Sequence, residues 1–397
     1  MRPKQWYLDK WKIDEVWKTT QGEGVTVALI DSGVDSTHPD LVGQVVGEPY
    51  GTGDADSPRG HGTGMASLIA GTGRGADGKG IVGVAPKTKI VSYNVVRPSG
   101  GVDFTYEQAV RMAADSPAKI ISVSKGDGPS QSLAEAFAYA QSRGKLVVAA
   151  SGNRNEVPLL MPPYPAGYPG VLGVGGYSNG GKLWDGSVQG YWVSLAGPAE
   201  DVPSACTGPT RYCIGDGTSA ATALTSGVAA LLWAKHPDYT ANQIIKVLTD
   251  SANKPLEGPV PNDALGYGNV SPRNALNWTG DPGPPDVNPL VGKRGNLPTT
   301  APSGQPAPST APSAAPAPAS TTPAADTAAD AAAGDDDGGG SDSLVPVVGI
   351  LVGGVAVLTV IVWVYVRSRT KRRGPPGAGP PPPVPTYGPP PPPGPYR

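Results

Sequence analysis

A histidine set among glycines is the strongest chemical signal in the chain. Only three histidines occur, so a mechanism that needs a base near neutral pH has few candidates. His61 lies in "RGHGTGMASLIAG", where glycines on both sides give close backbone access and an apolar helical pattern follows. His236 precedes a proline at a predicted helix end, and His38 lies in the turn-like "DSTHPDL". His61 is therefore the predicted base, and the other two are interpreted as structural residues.

Asp31 is the predicted partner of that base. A histidine base needs a group that fixes its tautomer and stabilises the imidazolium that forms when it takes a proton. Asp31 ends the apolar run "VTVALID", which places a carboxylate at the carboxyl end of a predicted strand. Open α/β sheets build their sites at that edge. Asp35 and Asp40 follow in the next loop and are interpreted as structural.

Two further residues are ambiguous when taken alone. Ser219, in "GDGTSAATAL", suits the N-cap of a helix, but the two glycines before it also suit a tight bend that presents a nucleophilic hydroxyl. Asn153, in "VVAASGNRN", suits a turn, but its amide also suits a donor to a developing oxyanion. The combination with an acid and an imidazole favours the chemical interpretation of both.

Residues 1–280 carry the pattern of an α/β domain with a core at about 20–252. Apolar β-branched runs alternate with helical patterns, which predicts a mostly parallel sheet with helices on both faces. Short strands that are apolar throughout are what a sheet covered on both faces requires. The predicted strands cover residues 25–31, 89–96, 119–124, 145–151 and 171–176, and the predicted helices begin near His61, Phe104, Ser132, Ser219 and Thr240.

The remainder of the chain has a different composition. Residues 281–343 are rich in Pro, Ala, Ser and Thr and are predicted to form a disordered linker. Residues 344–366 carry no charge and are long enough for one transmembrane helix. The tail, residues 367–397, is basic and then Pro-rich, and the positive-inside rule places it in the cytoplasm. The large domain is therefore expected outside the cell, held at the cell membrane.

Charge, cysteines and the first residues add three expectations. The net charge of −2 and the scattered Lys and Arg residues give no face for nucleic acid. The spacing of Cys206 and Cys213 suits a small loop-closing disulfide if the domain lies outside the cytoplasm, with two reduced thiols as the alternative. Residues 1–16 are charged throughout and lack the apolar segment of a signal sequence. For an exported domain, we expect the true start to lie upstream.

Four motifs in the chain order Asp, His, Asn, Ser resemble those of the subtilisin family of serine peptidases. They are "VALIDSGVDSTHPDL", "GHGTGMASLIAG", "VVAASGN" and "GTSAATALTSGVAALL", and the match covers about residues 20–252. Together with "QWYLDKWKIDEVW" and the predicted membrane span, the chain more narrowly resembles the mycosins. These are subtilisin-like proteases associated with type VII secretion in actinobacteria.

The resemblance implies a role for each candidate residue. Ser219 is then the nucleophile, His61 the base and later the acid, and Asp31 the orienting carboxylate. Asn153 and the Ser219 amide form the oxyanion hole. No cofactor or metal is implied, and the calcium sites frequent in the wider family cannot be placed in this sequence.

The resemblance also marks a substrate-binding strand, Ser124, Lys125 and Gly126. Lys125 stands where subtilisins commonly carry an apolar residue. We therefore expect the pocket preference to be shifted toward acidic side chains near that subsite.

The expected function is a membrane-anchored extracytoplasmic serine endopeptidase that acts on proteins or peptides and is associated with type VII secretion. The alternative is a mainly structural component of the secretion membrane complex with dispensable proteolysis, because the mycosin resemblance also implies a role in stabilising that assembly. A catalytically dead binding domain is disfavoured, since every catalytic residue type stands in its motif.

Overall fold

The structure, a computed structural model, describes residues 1–49, 51–56, 59–96, 105–126, 128–155 and 162–292. All of them belong to the first of two units into which the chain divides, Met1–Ala307. The predicted transmembrane helix at 344–366, the predicted tail at 367–397 and the predicted linker from residue 293 onward lie outside the described residues. In the ranges just given, no helix is both long enough and apolar enough to cross a membrane.

The elements alternate along the chain as an α/β fold requires. The strands are β1 (Thr26–Asp31), β2 (Gly33–Val34), β3 (Val45–Gly47), β4 (Gly53–Asp54), β5 (Lys89–Asn94), β6 (Ile120–Val123), β7 (Leu146–Ala150), β8 (Leu172–Tyr177), β9 (Leu195–Pro198), β10 (Val202–Ala205) and β11 (Tyr212–Gly215). The helices are a 3₁₀ turn at Arg2–Lys4, α1 (Trp6–Lys10), α2 (Ile13–Val16), α3 (His61–Ala70), α4 (Gly75–Gly78), α5 (Tyr106–Asp115), α6 (Gln131–Ser142), α7 (Thr218–Lys235), α8 (Ala241–Ser251) and α9 (Pro272–Leu276).

Seven strands form one parallel sheet in the order β3-β5-β1-β6-β7-β8-β9. Because β1 lies between β5 and β6, its last residues are paired on both sides, with Ile30 opposite Val123 and Asp31 opposite Asn94. The predicted α/β fold with a mostly parallel sheet is confirmed. The two remaining strand pairs, β2 with β4 and β10 with β11, are small antiparallel hairpins.

The strands are apolar throughout because the sheet is covered on both faces. Val27 and Leu29 of β1 pack into one core, together with side chains of α3, α7 and α8. Ala28 and Ile30 pack into a second core on the opposite face, with side chains of α5 and α6. Alternate residues of one strand thus serve two cores. Helix α7 is buried along most of its length, so it lies inside the domain rather than on its surface.

The five predicted strands and five predicted helices correspond to elements of the structure, whereas several short strands were not predicted. Strand β9 reads "LAGP" and holds only one large apolar residue, and β3 has three residues. Both are too short to show a periodic pattern of their own. They pair only because the neighbouring strands, β8 and β5, offer their backbone groups.

The chain before the predicted core packs onto the domain. Gln5 is fully buried, and its side-chain amide pairs with the backbone of Val82 in both directions. Gln5 Nε2 donates to Val82 O at 2.8 Å, and Val82 N donates to Gln5 Oε1 at 3.0 Å. The indole of Trp17 donates to Val84 O at 2.8 Å. Hydrogen bonds from the Gln5 and Trp17 side chains therefore hold the first residues of the chain on the loop that leads into β5.

The domain extends past the boundary predicted at residue 280. Pro285 O accepts a hydrogen bond from Thr240 Oγ1 at 2.9 Å, and Asn288 Nδ2 donates to Gly170 O at 3.0 Å. Leu290 is only 4% exposed. Residues 281–292 read as linker because Pro and Gly dominate them, but a few contacts suffice to hold them on the domain surface.

Candidate active site

A groove of about 770 Å³ lies at the carboxyl edge of the parallel sheet. The chain segments that follow β6 and β7 form part of its lining, and the first turns of α3 and α7 form another part. The structure brings six of the predicted site residues to this groove: His61, Ser124, Lys125, Gly126, Asn153 and Ser219. Asp31 lies behind His61 and is fully buried. Five distant stretches of sequence therefore meet at one site.

Asp31 and His61 form a closely hydrogen-bonded pair. His61 Nδ1 lies 2.7 Å from Asp31 Oδ1, so the ring donates its Nδ1 proton to the carboxylate. The same oxygen accepts a hydrogen bond from the Ser32 amide at 2.7 Å. The His61 side chain is 26% exposed, whereas that of Asp31 is not exposed at all. The carboxylate thus fixes the tautomer of a ring that faces the groove.

The pKa values of the pair move apart. Burial raises the pKa of Asp31, but the charge and the hydrogen bond of His61 outweigh it, so the pKa of this carboxyl is lowered from its ordinary value. Burial lowers the pKa of His61, but the charge and the hydrogen bond of Asp31 outweigh it, so the pKa of this imidazole is raised. The Lys125 ammonium lowers both pKa values. The pair therefore favours an ionised acid beside a basic imidazole.

Ser219 does not cap the helix in which it lies. Helix α7 begins at Thr218, its N-cap is Gly217, and the cap makes no side-chain hydrogen bond. Ser219 Oγ donates to Ser124 O at 3.3 Å, and Ser124 Oγ donates to Ser219 O at 3.2 Å. Among the described residues, the hydroxyl makes no hydrogen bond with His61. The capping interpretation is therefore wrong for Ser219, and its hydroxyl belongs to the groove.

Asn153, which follows β7, accepts the hydrogen bonds that cap the start of α7. Its Oδ1 accepts hydrogen bonds from Thr218 N at 3.0 Å and from Thr218 Oγ1 at 3.1 Å. Because both bonds are made to the oxygen, they fix which end of the planar amide points toward Thr218. The Ser219 amide follows in the first helical turn, where N–H groups lack intrahelical acceptors. Thr218, the anchor of Asn153, was not singled out from the sequence.

Lys125 places a cation in the groove. The lysine is half-buried, and its backbone carbonyl accepts a hydrogen bond from Tyr106 Oη at 2.8 Å. In the part of the chain that the structure describes, its ammonium forms no ion pair. A cation that makes no ion pair with the described residues and lies in a substrate-sized groove is available to an anionic group of a ligand.

The two cysteines form a disulfide beside the groove. Cys206 and Cys213 are bonded, with Cα atoms 5.9 Å apart, and they close the turn between β10 and β11. Thr207 in this turn lies against Gly60, where an added Cβ would be 2.7 Å from the Thr207 methyl group. Gly60 has a φ of +67° and immediately precedes His61. The disulfide-closed turn therefore packs on the start of α3.

The other histidines and aspartates have structural positions, as interpreted from the sequence. His38 is fully buried, its Nε2 lies 2.9 Å from Arg211 O, and burial lowers its pKa. His236 ends α7 and stacks on Tyr239, and burial lowers its pKa as well. The Asp40 carboxylate accepts hydrogen bonds from two backbone amides, at 2.7 and 2.8 Å, and Asp35 pairs with Arg211.

Sequence reasoning missed a polar network directly behind the pair. Ser32, Asp54 and Thr63 connect the turn after β1 to the first turn of α3 through hydrogen bonds of 2.7–2.9 Å. The only local signal was Thr63, a polar residue two positions after His61 in a mostly apolar helix. Within the described ranges, no three His, Cys, Asp or Glu side chains are grouped so that they could hold a metal ion.

Comparison with known proteins identifies the same region. The Subtilase family profile matches residues 22–268. A thermophilic serine proteinase from Bacillus sp. (strain AK1) is 37% identical over 225 residues, and the match covers 55% of each chain. This chain thus spans about half the length of that relative.

Solved structures give a similar result. MycP1 from Mycobacterium smegmatis is 29% identical with a TM-score of 0.59, and the match covers 71% of this chain and 86% of that one. The MycP3 protease from the type VII (ESX-3) secretion system is 31% identical with a TM-score of 0.58. That match covers 68% of this chain and 88% of MycP3. The likeness therefore extends over most of both solved chains.

The three histidines should titrate in different directions. We expect the His61 midpoint above the ordinary value of 6.5, and the His38 and His236 midpoints below it. As the pH falls through the raised pKa of His61, the neutral ring is lost, so chemistry that needs a base should decline on the acid side. An NMR pH titration of the ring signals measures this directly.

The titration has internal controls. Asp31→Asn should lower the His61 midpoint, because the carboxylate is what raises it, and Lys125→Met should raise it further. Neither change should move His236. A His61 midpoint at or below that of His236 would contradict the assignment.

Proposed function

This chain belongs to the Subtilase family, and we propose that its groove hydrolyses peptide bonds with Ser219 as the nucleophile and His61 as the base. Residues 22–268 are a subtilisin-like serine protease domain. The observation that carries the proposal is the 2.7 Å hydrogen bond between His61 Nδ1 and Asp31 Oδ1, in a groove that also contains Ser219.

The tautomer that Asp31 fixes determines which nitrogen of His61 takes part in acylation. Because Nδ1 carries a proton, Nε2 is the nitrogen that can accept one. Ser219 Oγ attacks the carbonyl carbon of the scissile bond, and its proton passes to His61 Nε2. The imidazolium then donates that proton to the leaving amine as the C–N bond breaks. The product is an acyl ester on Ser219 and a free amine.

Deacylation reverses the proton path. A water molecule attacks the ester carbonyl and gives its proton to His61 Nε2, and the proton returns to Ser219 Oγ as the acid leaves. In both steps an oxyanion develops on the carbonyl oxygen. We assign its stabilisation to the Asn153 side-chain amide and the Ser219 backbone amide, which both lie at the N-terminal end of α7.

A fluorophosphonate probe tests the proposed nucleophile, because it phosphonylates only an activated serine. We expect the full chain to be labelled, Ser219→Ala to show no label, and His61→Ala to react about 10²–10⁴-fold more slowly. Ser142→Ala, which changes an exposed serine at the end of α6, is the matched control and should react like the wild type. Wild-type protein that stays unlabelled would overturn the proposal and favour the scaffold alternative.

The Lys125 ammonium in the groove supports a preference for substrates that carry an acidic side chain. An exposed or half-buried ion pair contributes about 0.2–1 kcal/mol, so the preference it creates is modest and weakens with salt. The proposed specificity therefore concerns one substrate side chain near the scissile bond and not the whole sequence of the substrate.

A positional scan with glutamate tests the role of Lys125. We expect a peptide with Glu at one position near the scissile bond to be cleaved up to about fivefold faster than its Gln counterpart, as kcat/KM at low salt. Lys125→Glu should reverse this preference in favour of Lys at the same position, whereas Lys182→Glu, an exposed site outside the groove, should not. An unchanged preference in Lys125→Glu would remove Lys125 from substrate selection.

We also propose that residues 344–366 anchor the domain in the cell membrane with the domain outside and the basic tail in the cytoplasm. The apolar span and the "RSRTKRR" that follows it support this orientation. The similarity to MycP3, which is described as a protease from a type VII secretion system, supports an association with such a system.

Extraction of membranes with alkaline carbonate tests the anchor. The full chain should remain in the membrane pellet, and a chain that ends at residue 343 should be released. A chain that ends at residue 373 keeps the span and lacks only the Pro-rich tail, so it should behave like the full chain. Retention of the 343-residue chain would mean that the span is not what holds the protein.

A further inference from the structure

The helix that carries His61 has no cap of its own. Helix α3 begins directly after Gly60, which has no side chain to accept hydrogen bonds from the first amides. Such amides lack intrahelical acceptors and need partners from elsewhere. Gly62 N donates to Ser32 Oγ at 2.9 Å, and Thr63 N donates to Asp54 Oδ2 at 2.8 Å. The capping groups thus come from two other segments of the chain.

One carboxylate connects these caps. Asp54 Oδ1 accepts hydrogen bonds from Ser32 Oγ at 2.8 Å and from Asp56 N at 3.0 Å. Asp54 Oδ2 accepts from Thr63 N and also from Thr63 Oγ1 at 2.7 Å. Both oxygens of Asp54 are therefore used twice. A negative charge is also favourable at the N-terminus of a helix.

The hydrogen-bond network of Asp54 also includes Asp31. Ser32 N donates to Asp31 Oδ1 at 2.7 Å, and this oxygen also accepts the His61 Nδ1 proton. Asp54 thus holds Ser32 on one side and the first turn of α3 on the other. The packing is tight as well, since a Cβ added to Gly62 would lie 2.0 Å from Gly33 O. Hydrogen bonds therefore connect Asp31, through Ser32 and Asp54, to the helix that carries His61, and the His61 ring donates back to Asp31.

We infer that Asp54 is a positioning residue, which sets the distance and angle at which His61 meets Asp31. Asp54 lies on β4, which pairs with β2 directly after the Asp31 turn, and it is not among the residues that line the groove. It therefore acts through His61 and does not touch a substrate. The catalytic consequence rests on the proposed function, because only then does the orientation of His61 control a reaction.

Asp54→Asn is the test substitution. The amide keeps the shape but replaces one acceptor oxygen with an NH₂ group, which cannot accept from Ser32 or Thr63. We expect kcat per active site to fall about 10–100-fold with KM little changed, because a displacement of about 1 Å in a catalytic group costs up to about 10²-fold. The number of active sites is counted with the fluorophosphonate probe.

The His61 pKa is a second readout, and it does not depend on activity. The hydrogen bond from His61 to Asp31 raises that pKa, so a poorer bond should lower the midpoint in Asp54→Asn. The titration follows the His61 ring signals by NMR in the full chain. Asp35→Asn is the matched control, because Asp35 reaches Thr63 only through its backbone amide. It should change neither the His61 midpoint nor kcat.

The outcomes separate the two proposals. An inactive wild type would overturn the proposed function, while a lower His61 midpoint in Asp54→Asn would still support the positioning role. An active wild type with the same kcat and the same midpoint in Asp54→Asn would overturn the positioning role alone. If Asp54→Asn does not fold, Ser32→Ala is the second variant. It removes the two hydrogen bonds of the Ser32 hydroxyl, to Asp54 and from Gly62 N, and keeps those between Asp54 and Thr63, so it should show the same two changes to a smaller extent. Wild-type values in Ser32→Ala would then overturn the inference.

Discussion

The hydrogen bond between His61 Nδ1 and Asp31 Oδ1 joins a fully buried carboxylate to a ring that faces an open groove. A buried charge is costly unless it is paired and hydrogen-bonded, and a carboxylate left alone at this position would destabilise the fold. The imidazole and the Ser32 amide offset that cost. The rest of the domain must therefore keep the end of β1 and the start of α3 in one fixed relation.

A parallel sheet meets this requirement because all its strands end on the same side. Asp31 ends β1, whereas Ser124 and Asn153 follow β6 and β7. These strands are far apart in sequence, yet the sheet brings the three residues to one edge. The two helices that begin at this edge, α3 and α7, share the same core on one face of the sheet. Their first turns supply His61 and Ser219. Packing in the core thus determines distances in the groove.

The sequence was sufficient for the parts of the domain that have a local pattern. Apolar strands and helices are long enough to show their period, and the candidate residues stand in motifs. Asp54, Thr218 and Gln5 were missed because each makes a hydrogen bond to a residue well separated in sequence, and their own neighbours do not mark that partner. Ser219 was ambiguous for the same reason. The group that caps α7 in its place is Asn153, which follows β7.

Under the proposed function, the resting position of the Ser219 hydroxyl would couple substrate binding to activation. Asn153 Oδ1 accepts two hydrogen bonds from Thr218, and His61 Nδ1 donates one to Asp31. Among the described residues, the Ser219 hydroxyl has only a 3.3 Å bond to Ser124 O, at the long end of the range. A neutral hydrogen bond contributes about 0.5–1.5 kcal/mol, so a bond this long is lost at little cost.

The acceptor of that weak bond belongs to the proposed substrate-binding strand. A peptide N–H that donated to Ser124 O would compete with the Ser219 hydroxyl for the same carbonyl. The displaced hydroxyl needs only a rotation about its Cα–Cβ bond to seek another acceptor, and apo sites often align their catalytic hydrogen bonds only when substrate is bound. The groove would then combine a fixed acid, base and amide with a single mobile nucleophile that the substrate itself releases.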